Sequence, residues 1–336
     1  MTTVGIIANP AAGKDIRRLV AYATGTDNIR KSDLVRRVVL ALDATGVRQV
    51  YLMPDFYGIG LHALDGIRRK LHCRVELLDS GVEGSQDDSV RAARILAEMG
   101  ARCLVTIGGD GTNRVVAKGC GQVPILPIST GTNNVFPYMV EGTTAGLAAG
   151  ALATGLATPE RALRRAKRIN IWRGDELDDI ALVDAVVVDE QFIGSKAVWD
   201  LSKVREIVAT QGDPSHIGLA SIGGALRPLG PDEDGGLYVR LGAGPWTVRA
   251  AVAPGVVSDV PIAEFRSLTA GERVPVRTRP CLIALDGERE VEVCAEDEIE
   301  LEVSAEGPWV VRVNEALEEA RERGFFVRGA DLRGAE

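Results

Sequence analysis

The run Gly108-Gly109-Asp110-Gly111-Thr112 follows the mostly apolar segment Cys103 to Ile107 and precedes the helix-compatible stretch Val115 to Lys118. A strand that breaks at a glycine turn and resumes as helix is one step of a parallel, helix-covered sheet, where ligands gather at the strands' C-terminal ends. The turn suits an anion. Glycines permit positive φ and let backbone N–H groups approach without a Cβ in the way, and the next helix N-terminus adds partial positive charge. A lone carboxylate there makes a poor phosphate ligand, so Asp110 fits as a magnesium-proximal group or as a base taking a proton from an attacking hydroxyl.

The first 140 residues repeat the same alternation. Val4 to Ala8 is a short strand ending in the loop Asn9-Pro10-Ala11-Ala12-Gly13-Lys14; Ser32 and Asp33 are N-caps for a helix over Leu34 to Ala44; and Val47 to Met53 is the next strand. Asp87-Asp88-Ser89 opens a helix that reaches Met99, and Pro124 to Ile128 is a strand feeding a second polar loop, Ser129 to Asn134. Thr143 to Ala157, rich in Ala and Gly, is too weakly apolar for a membrane span and reads as a helix packed closely on its neighbours. The basic cluster Arg161 to Arg173 reads as a solvated helix. From Ile169 onward strands dominate (Ile180 to Val188, Leu237 to Leu241, Val248 to Val252, Cys281 to Leu285, Val291 to Val293, Ile299 to Val303) before a closing helix, Ala316 to Arg323. The expected fold is an α/β domain over 1–140, an all-β domain over 141–313, and a helical segment over 314–336 that packs back on the first domain and leaves a cleft between the two.

Charge narrows the partners. The 336 residues carry a net charge of −8, which argues against nucleic acid as a ligand. The excess is local: Asp286 to Arg323 holds 14 Asp/Glu against four Arg, so the glycine-turn half is close to neutral. Five cysteines without a C-x-x-C pair, three histidines without zinc spacing, and no signal-type N-terminus predict a reduced, cytoplasmic protein without structural zinc or a membrane span.

Neither common nucleotide fingerprint fits. A Walker loop would need glycine at Ala8 and Ser or Thr at Asp15, and Rossmann spacing after Gly109 and Gly111 would need glycine at Arg114. The ordered set Asn9-Pro10-x-x-Gly13, Gly108 to Thr112, Gly131-Thr132-Asn133-Asn134 and Asp286-Gly287-Glu288 instead resembles the NAD kinase and diacylglycerol kinase-like superfamily. Within it, Asn9 to Arg18 is most similar to the start of the acetoin-catabolism X protein group. The chain departs from NAD kinases at Val183-Asp184, where they carry Asn-Glu, and at His216 to Gly224, where they carry Thr-Gly-Ser-Thr-Ala-Tyr. It departs from lipid kinases at Val135, where they carry Asp.

The resemblance implies an ATP-dependent phosphotransferase, using ATP or another phosphate donor with Mg2+ on a hydroxyl of a nucleotide-like substrate, NAD first among them. Asp110 and Glu288 are its expected catalytic residues, with Asp110 also beside the magnesium. Asn9, Pro10, Gly13, Lys14, Gly108, Gly109, Gly111, Thr112, Thr132, Asn133 and Asn134 would bind nucleotide and phosphate, while Asp184 and Asp286 would face the substrate. It also implies a homo-oligomer, dimer or tetramer. Two alternatives stand beside it: a lipid or diacylglycerol-type kinase, and a regulatory protein that binds NAD or ATP without turnover.

Overall fold

The computed structural model describes residues 2–12, 27–190 and 200–327. The first unit is a seven-stranded sheet in the order β3-β2-β1-β4-β5-β17-β6. Its parallel members are β1 (Thr3–Ala8), β2 (Gln49–Leu52), β3 (Arg74–Leu77), β4 (Cys103–Gly108), β5 (Ile125–Ser129) and β17 (Trp309–Val311), and β6 (Leu163–Arg165) closes the edge antiparallel to β17. Every residue of β1 and β4 is buried, as helix cover on both faces requires. Because β1 pairs with β2 on one side and β4 on the other, strand order reverses between β1 and β4, opening a crevice at their C-terminal ends.

Helix α1 (Asn28–Ala44) begins earlier than the sequence suggests. Asp27 is the N-cap, accepting the Arg30 N–H at 2.8 Å. Ser32 and Asp33, expected as caps, lie inside the helix, where the Ser32 hydroxyl donates to the Asn28 carbonyl at 3.0 Å. Helices α2 (Ile59–Leu64), α3 (Asp87–Glu98) and α4 (Asp110–Gly119) follow, then α5 (Gly142–Thr154), whose close packing comes from glycines spaced by four. A Cβ at Gly146 would lie 2.7 Å from the Val38 carbonyl oxygen of α1, and one at Gly150 would lie 2.0 Å from Thr45 Oγ1. Helix α8 (Val313–Glu322) packs back as anticipated: Ala316 and Ala320 join the core of the first unit beside Ala145 and Ala149, and the Glu319 carboxylate accepts the Thr158 N–H at 2.8 Å.

The second unit is two antiparallel sheets, β12-β11-β10-β9-β14-β15 and β13-β16-β7-β8, with β10 Val204–Ala209, β11 Gly236–Ala253, β12 Val256–Leu268, β13 Arg273–Pro275, β14 Cys281–Leu285 and helix α7 (Ala220–Leu226) between β10 and β11. They enclose a core of Ile171, Val187, Val208, Tyr238, Ile283 and Leu301. Ile180 to Val188, expected as one strand, is two: β8 (Glu176–Ala181) in the smaller sheet and β9 (Asp184–Val188) in the larger. The strand turns a corner because the buried Asp286 carboxylate accepts the N–H groups of Leu182 and Val183 at 3.0 and 2.7 Å.

The basic cluster is not the expected helix. Helix α6 (Pro159–Ala162) ends at once, and the cluster continues as β6 and β7 (Arg168–Arg173), because sheet partners are available on β17 and β16 (Ile299–Ser304). Arg161 pairs with Glu322 at 2.6 Å, Arg165 with Glu306 at 3.0 Å and Arg173 with Asp178 at 2.9 Å. Glu306 and Glu322 of the acid-rich C-terminal stretch thus neutralise part of the cluster. Sheet membership changes near residue 166, so residues 142–165 and 309–322 belong with the first unit. Among the described residues no helix is long and apolar enough to cross a membrane.

Buried thiols predict alkaline sensitivity. Burial pushes Cys103 and Cys281 up to about 12 and Cys120 up to about 11. The unfolded chain releases these protons near pH ~8.5, so their stabilising contribution is complete below that value and is lost as pH rises toward the folded values. Urea midpoints should fall from pH 9 upward, each thiol adding a slope of about 1.4 kcal/mol per pH unit, and Cys103→Ala should flatten the slope. A pH-independent midpoint would contradict it.

Candidate functional site

A cleft of about 720 Å³ opens at the β1/β4 crevice, bounded by the β1 loop, the glycine turn, the loops after β2 and β3, and the start of β15 (Glu288–Val293). Gly108 ends β4, Gly109 caps α4 in an extended conformation (φ −101°, ψ −167°), and Asp110 is the first helical residue. None of Gly108, Gly109 and Gly111 has positive φ, so the expectation that the glycines serve left-handed backbone is corrected. Close approach calls for two of them: a Cβ would lie 2.3 Å from Thr112 Oγ1 at Gly108 and 2.7 Å from Asn134 Oδ1 at Gly109, whereas at Gly111 it would meet only the flexible end of Glu288, 3.3 Å away.

The turn is tied to both flanking loops. Asn9 Nδ2 donates to Thr112 Oγ1 at 2.9 Å, and Asn9 Oδ1 accepts the Ala11 N–H at 2.8 Å. Pro10 lines the cleft, whereas Gly13 and Lys14 lie outside the described residues. On the other side the Asp110 carboxylate accepts the Val135 N–H at 3.1 Å and the Phe136 N–H at 2.8 Å, clasping the second polar loop. Asn134 Nδ2 donates to Ser129 Oγ at 2.8 Å. Asn133 lines the cleft; Thr132 is exposed and does not.

From the second unit, Glu288 and Asp286 reach the cleft. Asp286 sits at φ +52°, and burial pushes its carboxyl up, while the Arg114 charge and the amides of Leu182, Val183 and Asp184 pull it down. Its oxygens hold the corner between the sheets, so Glu288 is the carboxylate directed at the glycine turn. Asp184 is buried beside a separate hollow of about 40 Å³ that also touches Asp110, Asn133 and Gly287.

Two buried cations escaped the sequence reading. Lys31, fully buried in the first turn of α1, donates to the carbonyls of Asn9 at 2.9 Å, Pro10 at 3.2 Å and Ala12 at 2.8 Å, holding the β1 loop in place. Arg114, equally buried on α4, pairs with Asp179 of β8 at 3.1 Å and Glu290 of β15 at 3.0 Å, binding the two units behind the site. Asp55, Phe56 and Tyr57 after β2, and Ser85 to Asp88 after β3, also line the cleft; as loops at parallel-strand ends their position is the signal that could have found them. Replacing Lys31 with Met should leave three partly buried carbonyls without their donor, lowering stability by about 2–3 kcal/mol in thermal melts and weakening phosphate-ligand binding in the same variant.

Among the described residues no group of three or more His, Cys, Asp or Glu is arranged to hold a metal. Asp110 and Glu288 suit Mg2+ all the same, because that ion is commonly held by one or two carboxylates with substrate phosphates and water completing the shell.

This architecture, with a glycine turn at the switch point of an α/β sheet and a β unit closing over it, is that of an NAD kinase-like protein. Residues 4–155 match the family described as ATP-NAD kinase N-terminal domain, and residues 167–306 match the acetoin catabolism protein X C-terminal domain. The chain belongs to the acetoin catabolism protein X family: it is 41% identical over 308 residues to the protein of that name from Cupriavidus necator, covering 88% of this chain and 86% of the relative. Two solved structures of a candidate diacylglycerol kinase from Bacillus anthracis str. Sterne are similar at 13% and 12% identity, with TM-scores of 0.48 and 0.45. Each covers 92% of this chain, and the matches span 96% and 98% of theirs.

Proposed function

We propose that the protein is a magnesium-dependent phosphotransferase that moves a phosphoryl group from ATP to a hydroxyl of a nucleotide-like acceptor, with NAD the first candidate, in the context of acetoin catabolism. The observation that carries this reading is the α4 N-terminus, bare of Cβ atoms at Gly109 and Gly111, opening into a large cleft opposite the Glu288 carboxylate. Glycine amides and a helix N-terminus bind phosphate, and bound magnesium would neutralise charge on the transferring group. Asp110 and Glu288 would hold that ion with the phosphates, and Asp110 would orient and deprotonate the acceptor hydroxyl. The Asn9 loop, braced by Lys31, would position the donor, and Asn133 with Asn134 would hold its ribose or base.

Incubation of the purified protein with ATP, Mg2+ and a panel of NAD, nucleosides and diacylglycerol vesicles tests this. Acceptor-dependent ADP release with a phosphorylated nucleotide product is expected, and a lipid product would overturn the acceptor class. One observation favours a second reading, a non-catalytic nucleotide sensor: the Asp110 carboxylate already accepts two backbone N–H groups. Saturable nucleotide binding without ATP consumption would decide for it.

A further inference from the structure

The cleft extends past the glycine turn to the loop that leaves β2, and the function proposed above leaves that end unused. Asp55-Phe56-Tyr57-Gly58 joins β2 to α2, and the rings of Phe56 and Tyr57 line the cleft while 72% and 57% exposed. Leaving rings of this size in water is unfavourable unless something covers them. The loop that presents them is braced. Asp55 accepts the N–H groups of Tyr57 at 2.8 Å and Ile59 at 3.0 Å, and Gly58 turns at φ +66°. Gly84 backs the Phe56 ring so closely that a Cβ there would lie 3.1 Å from Phe56 Cε2. With the Asp55 carboxylate engaged by its own loop, the exposed Phe56 ring is the group this segment offers to a ligand.

We propose that Phe56, with Tyr57 beside it, is the stacking platform for the heterocyclic base of a nucleotide whose phosphates lie at the α4 N-terminus. This rests on the nucleotide reading above and extends it to the base. Met53, Pro54 and Val82 line the same cleft as Ser85 and Gln86, so a ring seated here meets apolar and polar groups together, which suits a flat base with polar edges. Base stacking on an aromatic ring tolerates different bases, so the platform would serve adenine and nicotinamide alike.

Equilibrium titration of the wild type, Phe56→Ala and Phe56→Trp with Mg·ADP and with Mg·tripolyphosphate, which has no base, tests the assignment. Phe56→Ala should weaken ADP binding by roughly 5- to 100-fold and leave tripolyphosphate binding unchanged, while Phe56→Trp should retain ADP affinity and show new fluorescence quenching on binding. Equal loss of both ligands in Phe56→Ala, or loss of neither while the wild type binds ADP, would overturn the platform alone. Failure of the wild type to bind ADP at all would overturn it together with the nucleotide reading. Loss of binding to phosphatidylcholine vesicles carrying diacylglycerol, with ADP binding intact, would assign the rings to a lipid.

Discussion

Arg114→Met is expected to lower the unfolding free energy by about 3–5 kcal/mol, because removing one partner of a buried ionic group leaves the others uncompensated. Arg114 has no solvent exposure and stands between Asp179 at 3.1 Å and Glu290 at 3.0 Å, with Asp286 in its field. Lys118, 2.5 Å from Asp179, would still neutralise that carboxylate, whereas Glu290 and Asp286 would lose the guanidinium. The deficit should be pH-dependent with a definite sign. Asp286, whose carboxyl is pushed up by burial and pulled down by Arg114, titrates higher still once the guanidinium is gone, so it destabilises most at neutral pH and the deficit shrinks as it protonates on acidification. Urea denaturation of wild type and variant at pH 7 and pH 5 reads both effects. A second change, Glu290→Gln, should recover part of the loss, and a deficit below about 1 kcal/mol would place Arg114 in the range of an exposed pair.

The same residue shows where sequence reading stopped. Arg114 registered only as the residue that breaks Rossmann spacing, since its partners lie 65 and 176 positions downstream and no local pattern announces them. Lys31, ahead of the helix expected from Leu34, likewise carries no local signal, because its partners are the carbonyls of Asn9, Pro10 and Ala12. What was legible was local: the strand-to-helix glycine turn, the Asn-Pro loop, the Asp-Gly-Glu turn, and the glycine-rich α5. Their chemistry was less so. Gly108 and Gly109 are needed for packing rather than for positive φ, and the Asp286-Gly287 turn does take left-handed backbone at both residues yet turns the carboxylate onto the β8–β9 corner. Apart from the Gly108 contact with nearby Thr112, these outcomes depend on atoms from segments distant in sequence, Asn134, Leu182 and Val183, which periodicity and spacing do not encode.

Asp110→Asn should reduce phosphoryl transfer by about 10²- to 10⁴-fold, the usual weight of a positioned general base, while leaving the thermal midpoint near that of the wild type. The two halves of this expectation separate chemistry from architecture. Asp110 holds the loop after β5 through acceptance of the Val135 and Phe136 N–H groups, and the shorter of these bonds, 2.8 Å from Phe136, runs to Oδ1. An asparagine oriented with its oxygen at that position keeps the bond to Phe136 and can keep the one to Val135, so the clasp survives. The charge does not, and neither does the ability to take a proton or to bind magnesium as an anion. Asp110→Ala removes clasp and charge together and should lower the midpoint as well. If Asp110→Asn keeps full turnover while Asp110→Ala raises KM and loosens the loop, the carboxylate is a structural clasp and the base must be sought elsewhere, with Glu288 across the turn as the next residue to change.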